Sequence, residues 1–97
     1  MKSLGLVEVS GVTGAIDCLD IMCKSAEVRF VTWERKLGGR LVTIIVEGDV
    51  SAVSAAVENA EKNSIVKPVA KAVIASPHSE TMRMVDISAS RIRKKGS

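Results

Sequence analysis

The segment that most constrains the fold is residues 33–49, in which two β-type runs flank a glycine pair set between basic residues. The second run, residues 41–46, is apolar almost throughout, which is typical of a central strand. It ends in Gly-Asp directly before an alanine-rich helical pattern, so Asp49 is predicted to be a helix N-cap. Because Gly38 and Gly39 permit a tight turn, residues 28–33 and 41–46 are predicted to form an antiparallel hairpin. The bare backbone amides of this loop suit contact with an anion better than covalent catalysis.

Hydrophobic periodicity predicts the elements around this hairpin. It indicates strands over residues 3–9 and 66–75, helices that begin at Val12 and after Asp49, and a short C-terminal helix over about residues 77–88. The resulting order is β-α-β-β-α-β plus the short C-terminal helix. This order predicts one α+β domain of the ferredoxin-like class.

The two main helices differ in how clearly their buried faces are marked. The second helix is predicted to bury Val50, Val53, Val57 and Ala60. The first helix has a main apolar stripe and a weaker one; the main stripe is Val12, Ala15, Ile16, Leu19, Met22, Cys23 and Ala26, and the weaker stripe is Gly14, Cys18, Ile21 and Ser25. Two interpretations follow: the weaker stripe contacts a neighbouring subunit, or the helix lies deep in its own core.

No residues form a recognisable catalytic or metal-binding motif. His78 is the one histidine of the chain, and no spacing relates it to Cys18 or Cys23 as a metal site. The two cysteines lie five residues apart on one predicted helix, which is unsuited to a disulfide, so both are interpreted as reduced thiols. Cys23 falls on the main stripe and is predicted to be buried and inert. We therefore expect no catalytic residue, no metal and no cofactor.

Composition argues against nucleic-acid and membrane partners. The net charge of +3 includes the four basic residues of the tail 91–97, and without them the remainder is about −1. The tail is interpreted as solvated and disordered, with an anchoring role as the alternative. Predicted strands one and three carry no aromatic residue on which bases could stack. No segment has the length of a membrane span, and the N-terminus lacks the pattern of a signal peptide.

Four segments, in this order, resemble the hexameric shell proteins of bacterial microcompartments. They are LGLVEV (4–9), DIMCKSA (20–26), LVTIIVEGDVSAV (41–53) and SPH (76–78). The resemblance covers about residues 3–88, and the third segment is its most specific part. It implies a shell domain over residues 1–90 and a homohexamer that tiles edge to edge with other shell proteins around encapsulated enzymes. It also implies a location in the microcompartment shell, within the cytoplasm.

The resemblance implies two sets of site residues. The loop before strand three surrounds the sixfold axis and lines a pore for small polar or anionic metabolites; its residues here are Leu37, Gly38, Gly39 and Arg40. When the loop is aligned from Val42 and Thr43, Arg40 replaces the family's second loop glycine; when it is aligned from Trp33 and Glu34, the loop has one residue more than the family's. The disc edge would be formed by Lys24, Glu27, Ser76 and His78, with Lys24 matching the family's edge lysine. Glu27 and Ser76 replace an asparagine and an arginine that are usual in the family.

Several hypotheses stay open from sequence alone. We favour a non-enzymatic, pore-forming structural protein. The alternative is a small-molecule-sensing regulatory domain with the same strand order, a dimer or trimer with its effector site at residues 36–40. An enzyme with a cysteine nucleophile is the least supported. Arg40 either adds positive potential at the pore mouth or pairs with a carboxylate in a subunit interface. The subunit contact is expected on the weaker stripe or on the exposed side of strand two, with Trp33.

Overall fold

The computed structural model describes residues 2–35 and 40–75. Six elements follow one another in the predicted order: β1 (Ser3–Ser10), α1 (Val12–Ser25), β2 (Arg29–Arg35), β3 (Leu41–Gly48), α2 (Val50–Asn63) and β4 (Ala70–Ala75). The predicted C-terminal helix near residues 77–88, the edge residues Ser76 and His78, and the tail 91–97 lie outside the described residues.

The strands form one four-stranded sheet in the order β2-β3-β1-β4, and every neighbouring pair is antiparallel. The predicted hairpin of β2 and β3 is confirmed, with Trp33 opposite Ile44 and a bulge between Phe30 and Thr32. The α+β class is therefore confirmed. The two edge positions of the sheet are occupied by β2 and β4.

The fourth strand is shorter than predicted, because β4 begins at Ala70 rather than at residue 66. Pro68 has no N–H with which to join a strand ladder. Pairing with β1 starts only after it, where the backbone N–H of Val69 donates to the carbonyl of Glu8 at 2.8 Å. Residues 64–66 form instead a turn that packs against α1.

Both helices lie on one face of the sheet and share a core with its inward-pointing side chains. This core contains the alternate residues Val7 and Val9 of β1 together with Val42, Ile44 and Val46 of β3. The helices contribute Ala15, Cys18, Met22, Ala56, Val57 and Ala60. A smaller cluster, Leu4 and Ile45 with Leu6 and Val31 packed against it, belongs to the opposite face.

The predicted face of α2 is confirmed for three of its four residues. Val53, Val57 and Ala60 are buried, whereas Val50 is exposed, so its prediction was wrong. Val50 is the first residue of the helix, and the buried residues of α2 begin only at Val53. Asp49 occupies the N-cap position as predicted, although its side chain makes no capping hydrogen bond.

Gly5 sets how closely α2 approaches the sheet, and replacing it tests this packing. A Cβ at Gly5 would lie 2.7 Å from Cγ1 of Val53 and 3.1 Å from Cγ2 of Val57. We expect Gly5→Ala to lower the free energy of unfolding by about 1–3 kcal/mol, the usual cost of overpacking a core. Urea denaturation at fixed protein concentration measures the change. Ser10→Ala, at an exposed position of the same strand, serves as the control and should stay within about 0.5 kcal/mol. An unchanged Gly5→Ala would contradict the packing described here.

Candidate functional site

Arg40, the last residue of the predicted pore loop, lies directly before β3 and is exposed. Its carbonyl accepts a hydrogen bond of 2.7 Å from the backbone N–H of Gly11. Gly11 is the N-cap of α1 and has a φ of 85°, a conformation that favours glycine. The end of the loop is thereby fixed to the start of α1. The other predicted pore residues, Leu37, Gly38 and Gly39, lie outside the described residues.

The start of α1 adds positive potential beside Arg40. The N-cap makes no side-chain hydrogen bond, and the first turn contains no acidic residue. The free N–H groups of a helix N-terminus have the electrostatic effect of about half a positive charge. This end of the sheet therefore combines an exposed guanidinium with an electropositive helix terminus.

Lys24 lies at the other end of α1, in its last turn, and is exposed. Its ammonium is 3.0 Å from the carboxylate of Asp20, one helical turn earlier. Since α1 has 14 residues, its two ends are about 21 Å apart. The predicted pore residue Arg40 and the predicted edge residue Lys24 thus lie at opposite ends of one rigid element.

Glu27 is exposed and lies close to Lys24, two residues after α1 ends. Its backbone carbonyl would be 3.0 Å from a Cβ at Gly48, so the α1–β2 connection rests on the end of β3. Lys24 and Glu27 are three residues apart in the sequence, and both are exposed. Ser76 and His78, the other predicted edge residues, lie outside the described residues.

An ionic cluster at this same end was missed by sequence reasoning. The Glu47 side chain is only 6% exposed, and its carboxylate oxygen Oε1 accepts a hydrogen bond of 2.8 Å from Nε of Arg29. Nη2 of Arg29 binds the same oxygen, and the ammonium of Lys2 is 3.6 Å away. Glu47 lies one residue beyond the strand end predicted from the apolar run. Its position opposite Arg29 follows from the β2–β3 register, which periodicity does not reveal.

Each of the two stripes of α1 is buried in part. From the main stripe, Ala15 and Met22 are buried, but Ile16 is 56% exposed and Cys23 is exposed. From the weaker stripe, Gly14 and Cys18 are buried within their own chain. The prediction that Cys23 is buried was therefore wrong. The weaker stripe as a subunit contact was also wrong for Gly14 and Cys18.

The reason is a close contact between α1 and the turn at residues 64–66. A Cβ at Gly14 would lie 3.0 Å from Cβ of Val66, and Sγ of Cys18 lies 3.9 Å from the carbonyl of Val66. Only small side chains on α1 allow the turn to come so near. Trp33, the second predicted contact surface, is half-buried and packs against the main core.

Within residues 2–35 and 40–75, no three His, Cys, Asp or Glu side chains are grouped so as to hold a metal ion. No described helix is both long and apolar enough to cross a lipid bilayer.

The comparisons of this chain with known proteins all indicate the same family. A family model described as the BMC domain matches residues 3–77. The bacterial microcompartment shell protein PduA of Citrobacter freundii is 42% identical over 86 residues, which cover 87% of this chain and 91% of that protein. The carboxysome shell protein CsoS1A of Hydrogenovibrio crunogenus is 43% identical over 81 residues, covering 80% of this chain and 83% of that protein.

A solved structure supports the fold independently. The crystal structure of a microcompartment protein from Desulfitobacterium hafniense superposes with a TM-score of 0.77 at 24% identity. The match covers 91% of this chain and 48% of that chain, so this chain spans about half the length of that protein.

The burial of Cys18 has a direct chemical test. Burial raises the pKa of the Cys18 thiol, which also reduces the fraction present as the reactive thiolate. In a Cys23→Ser variant, we expect Cys18 to resist iodoacetamide in native buffer and to react at least tenfold faster in concentrated guanidinium chloride. Mass spectrometry of the intact chain measures the modification. Rapid native alkylation would contradict the buried position and would revive the hypothesis of a cysteine nucleophile.

Proposed function

Because this chain belongs to the BMC domain family, we propose that it is a shell subunit that closes into a homohexamer around a central pore. Members of this family are structural proteins of the bacterial microcompartment shell, within the cytoplasm, and they are not enzymes. The finer proposal is that the hexamers tile edge to edge with other shell proteins around encapsulated enzymes. Small polar or anionic metabolites cross the shell through the pore.

The observation that carries this proposal is the position of Arg40 and Lys24 at opposite ends of α1. A subunit of a flat ring needs one end at the symmetry axis and the other at the rim. With Arg40 at the axis, α1 extends radially and delivers Lys24 to the disc edge. The length of this one helix would then set the distance between the pore and the disc edge.

The charge at the axis end supports an anionic or polar permeant. In a hexamer, six Arg40 guanidinium groups and six electropositive N-termini of α1 would surround the central pore. A ring of one charge sign attracts counter-charged solutes and disfavours like-charged ones. The exposure of Arg40 leaves its charge available to solvent and solute.

The rim end supports edge contacts that depend on repetition. Lys24 is extended along α1 by its ion pair with Asp20, and its aliphatic stem offers apolar surface to a neighbouring disc. An exposed pair of this kind is individually weak. Six copies on every disc give the lattice its strength.

Native mass separates this proposal from a regulatory dimer or trimer. Six copies of the 10.3 kDa chain have a mass of about 62 kDa. Sedimentation at high protein concentration as a single subunit would overturn the hexamer.

Removing the charge of Arg40 tests the pore. We expect Arg40→Ala to weaken the binding of sulfate, used as the anionic probe, by about fivefold at low ionic strength, since one contact between unit charges in water contributes roughly 1 kcal/mol. The difference should shrink as salt is added. Isothermal titration calorimetry of the hexamer measures it. Arg40→Lys keeps the charge and should bind as the unchanged protein does. Equal binding by Arg40→Ala would show that this charge does not face the pore.

Reversing the charge of Lys24 tests the edge. We expect Lys24→Asp to abolish sheets seen by electron microscopy while hexamers persist by native mass, because six repelling carboxylates then line each disc. Asp20→Asn is the matched control: it breaks the same ion pair but keeps the lysine, and its sheets should persist. If Lys24→Asp still forms sheets, Lys24 does not contribute to the contact between discs.

A further inference from the structure

Gly11 lies where the chain leaves β1 and enters α1. In the antiparallel register of β1 and β3, Ser10 lies opposite Leu41, so Gly11 and Arg40 come next. The N–H of Gly11 continues this ladder, since it donates to the carbonyl of Arg40 at 2.7 Å. The carbonyl of Gly11 already belongs to the helix, since it accepts from the N–H of Ala15 at 3.1 Å. One residue thus joins the strand, the helix and the end of the loop.

These two hydrogen bonds require a backbone conformation that only glycine adopts readily. Gly11 has a φ of 85° and a ψ of 150°, a region in which any L-residue with a Cβ is strained. A Cβ at this position would nevertheless meet no atom within 4 Å. There is room for a side chain here, and it is the backbone conformation alone that demands glycine.

The end of the loop before β3 is held from the β1 side. On the β2 side, the described ladder ends with Arg35 opposite Val42. On the β1 side, the hydrogen bond from Gly11 reaches Arg40 itself. Because a peptide unit is planar, holding this carbonyl restricts the backbone dihedral ψ of Arg40 and therefore the directions in which its side chain extends.

The same hydrogen bond keeps two electropositive groups side by side. The Arg40 side chain is exposed, and the first turn of α1, which follows Gly11, contains no acidic residue. Since a helix N-terminus acts as about half a positive charge, it repels the guanidinium. The bond from Gly11 opposes this repulsion by limiting how far Arg40 moves from the helix. Two positive groups held together attract an anion jointly.

We infer that Gly11 is a positioning residue of the pore, which holds the Arg40 guanidinium beside the N-terminus of α1 as one unit that attracts anions. This rests on the proposed hexamer and its pore, and it names the residue that sets the geometry of the charge there. Gly11 acts through its backbone on Arg40. Charged groups that are ordered before an anion arrives lose little conformational entropy when it binds.

The first experiment tests whether the conformation of glycine maintains the hydrogen bond. Gly11→Ala is made twice by semisynthesis, once with L-alanine and once with D-alanine, by ligating a peptide of residues 1–22 to the remainder of the chain at Cys23. D-alanine accepts a positive φ, whereas L-alanine does not. We expect the amide at position 11 to exchange its hydrogen about tenfold faster with L-alanine and at an unchanged rate with D-alanine. Site-resolved mass spectrometry measures the exchange.

The second experiment measures anion binding. We expect the L-alanine version to bind sulfate about fivefold more weakly, because the loop must be re-ordered, and the D-alanine version to bind as the unchanged protein does. Since no charge is removed and the cost of ordering does not depend on salt, the loss should persist at about 0.15 M salt. The loss expected for Arg40→Ala shrinks under the same conditions. Calorimetric titration of the hexamers at two ionic strengths distinguishes them.

Two controls separate positioning from a general loss of stability. Gly5→Ala also replaces glycine by alanine, but it disturbs the contact of the sheet with α2, so it should leave sulfate binding unchanged. Replacing the amide of Gly11 by an ester removes the N–H donor and keeps the conformational freedom of glycine. The ester should weaken sulfate binding as the L-alanine version does. Combined with Arg40→Ala, it should cause no further loss, because Gly11 acts through Arg40.

The outcomes separate this inference from the function on which it rests. If the unchanged protein forms no hexamer or its hexamer binds no sulfate, the proposed pore and the inference fail together. If the unchanged hexamer binds sulfate and the ester version binds it equally well, only the inference is overturned. The ester version also decides the matter if the L-alanine version does not assemble. A loss of sulfate binding in Gly5→Ala as large as that in the ester would overturn the inference too.

Discussion

The structure depends on a close approach between neighbouring elements, which glycine makes possible at two places. At Gly5, the side chains of Val53 and Val57 fill the space that a Cβ would need. At Gly14, an added Cβ would lie 3.0 Å from Cβ of Val66. The first contact sets the distance of α2 from the sheet, and the second seats the turn at residues 64–66 on α1. A domain of this size has few core contacts to lose, so a larger side chain at either position would displace the element that packs there.

From this packing follows a subunit with two distinct ends. The ends are those of α1, where Gly11 holds the carbonyl of Arg40 at one extremity and Lys24 lies at the other. In the proposed ring, one of these ends would lie at the axis and the other at the disc edge.

Much of the fold could be predicted from local patterns. The order of the six elements, the β2–β3 hairpin and the buried residues Val53, Val57 and Ala60 all follow from periodicity and turn residues. The family could also be predicted, because its segments are continuous in the chain. Of the predicted site, the described residues comprise Arg40, Lys24 and Glu27. Their placement at opposite ends of one helix required the structure, since the contact between Gly11 and Arg40 joins positions far apart in the sequence.

The sequence by itself determined which positions are apolar, where the turns fall and therefore the order of strands and helices. Only the tertiary structure decided which stripe of α1 is buried. Hydrophobic periodicity favours the stripe that contains Ile16 and Cys23, because that stripe has more large apolar side chains. In the structure, Gly14 and Cys18 are also buried, because their small side chains let the segment at residues 64–66 come close to α1. That choice depends on how near two distant segments can come in space, and no local pattern of hydrophobicity contains this distance.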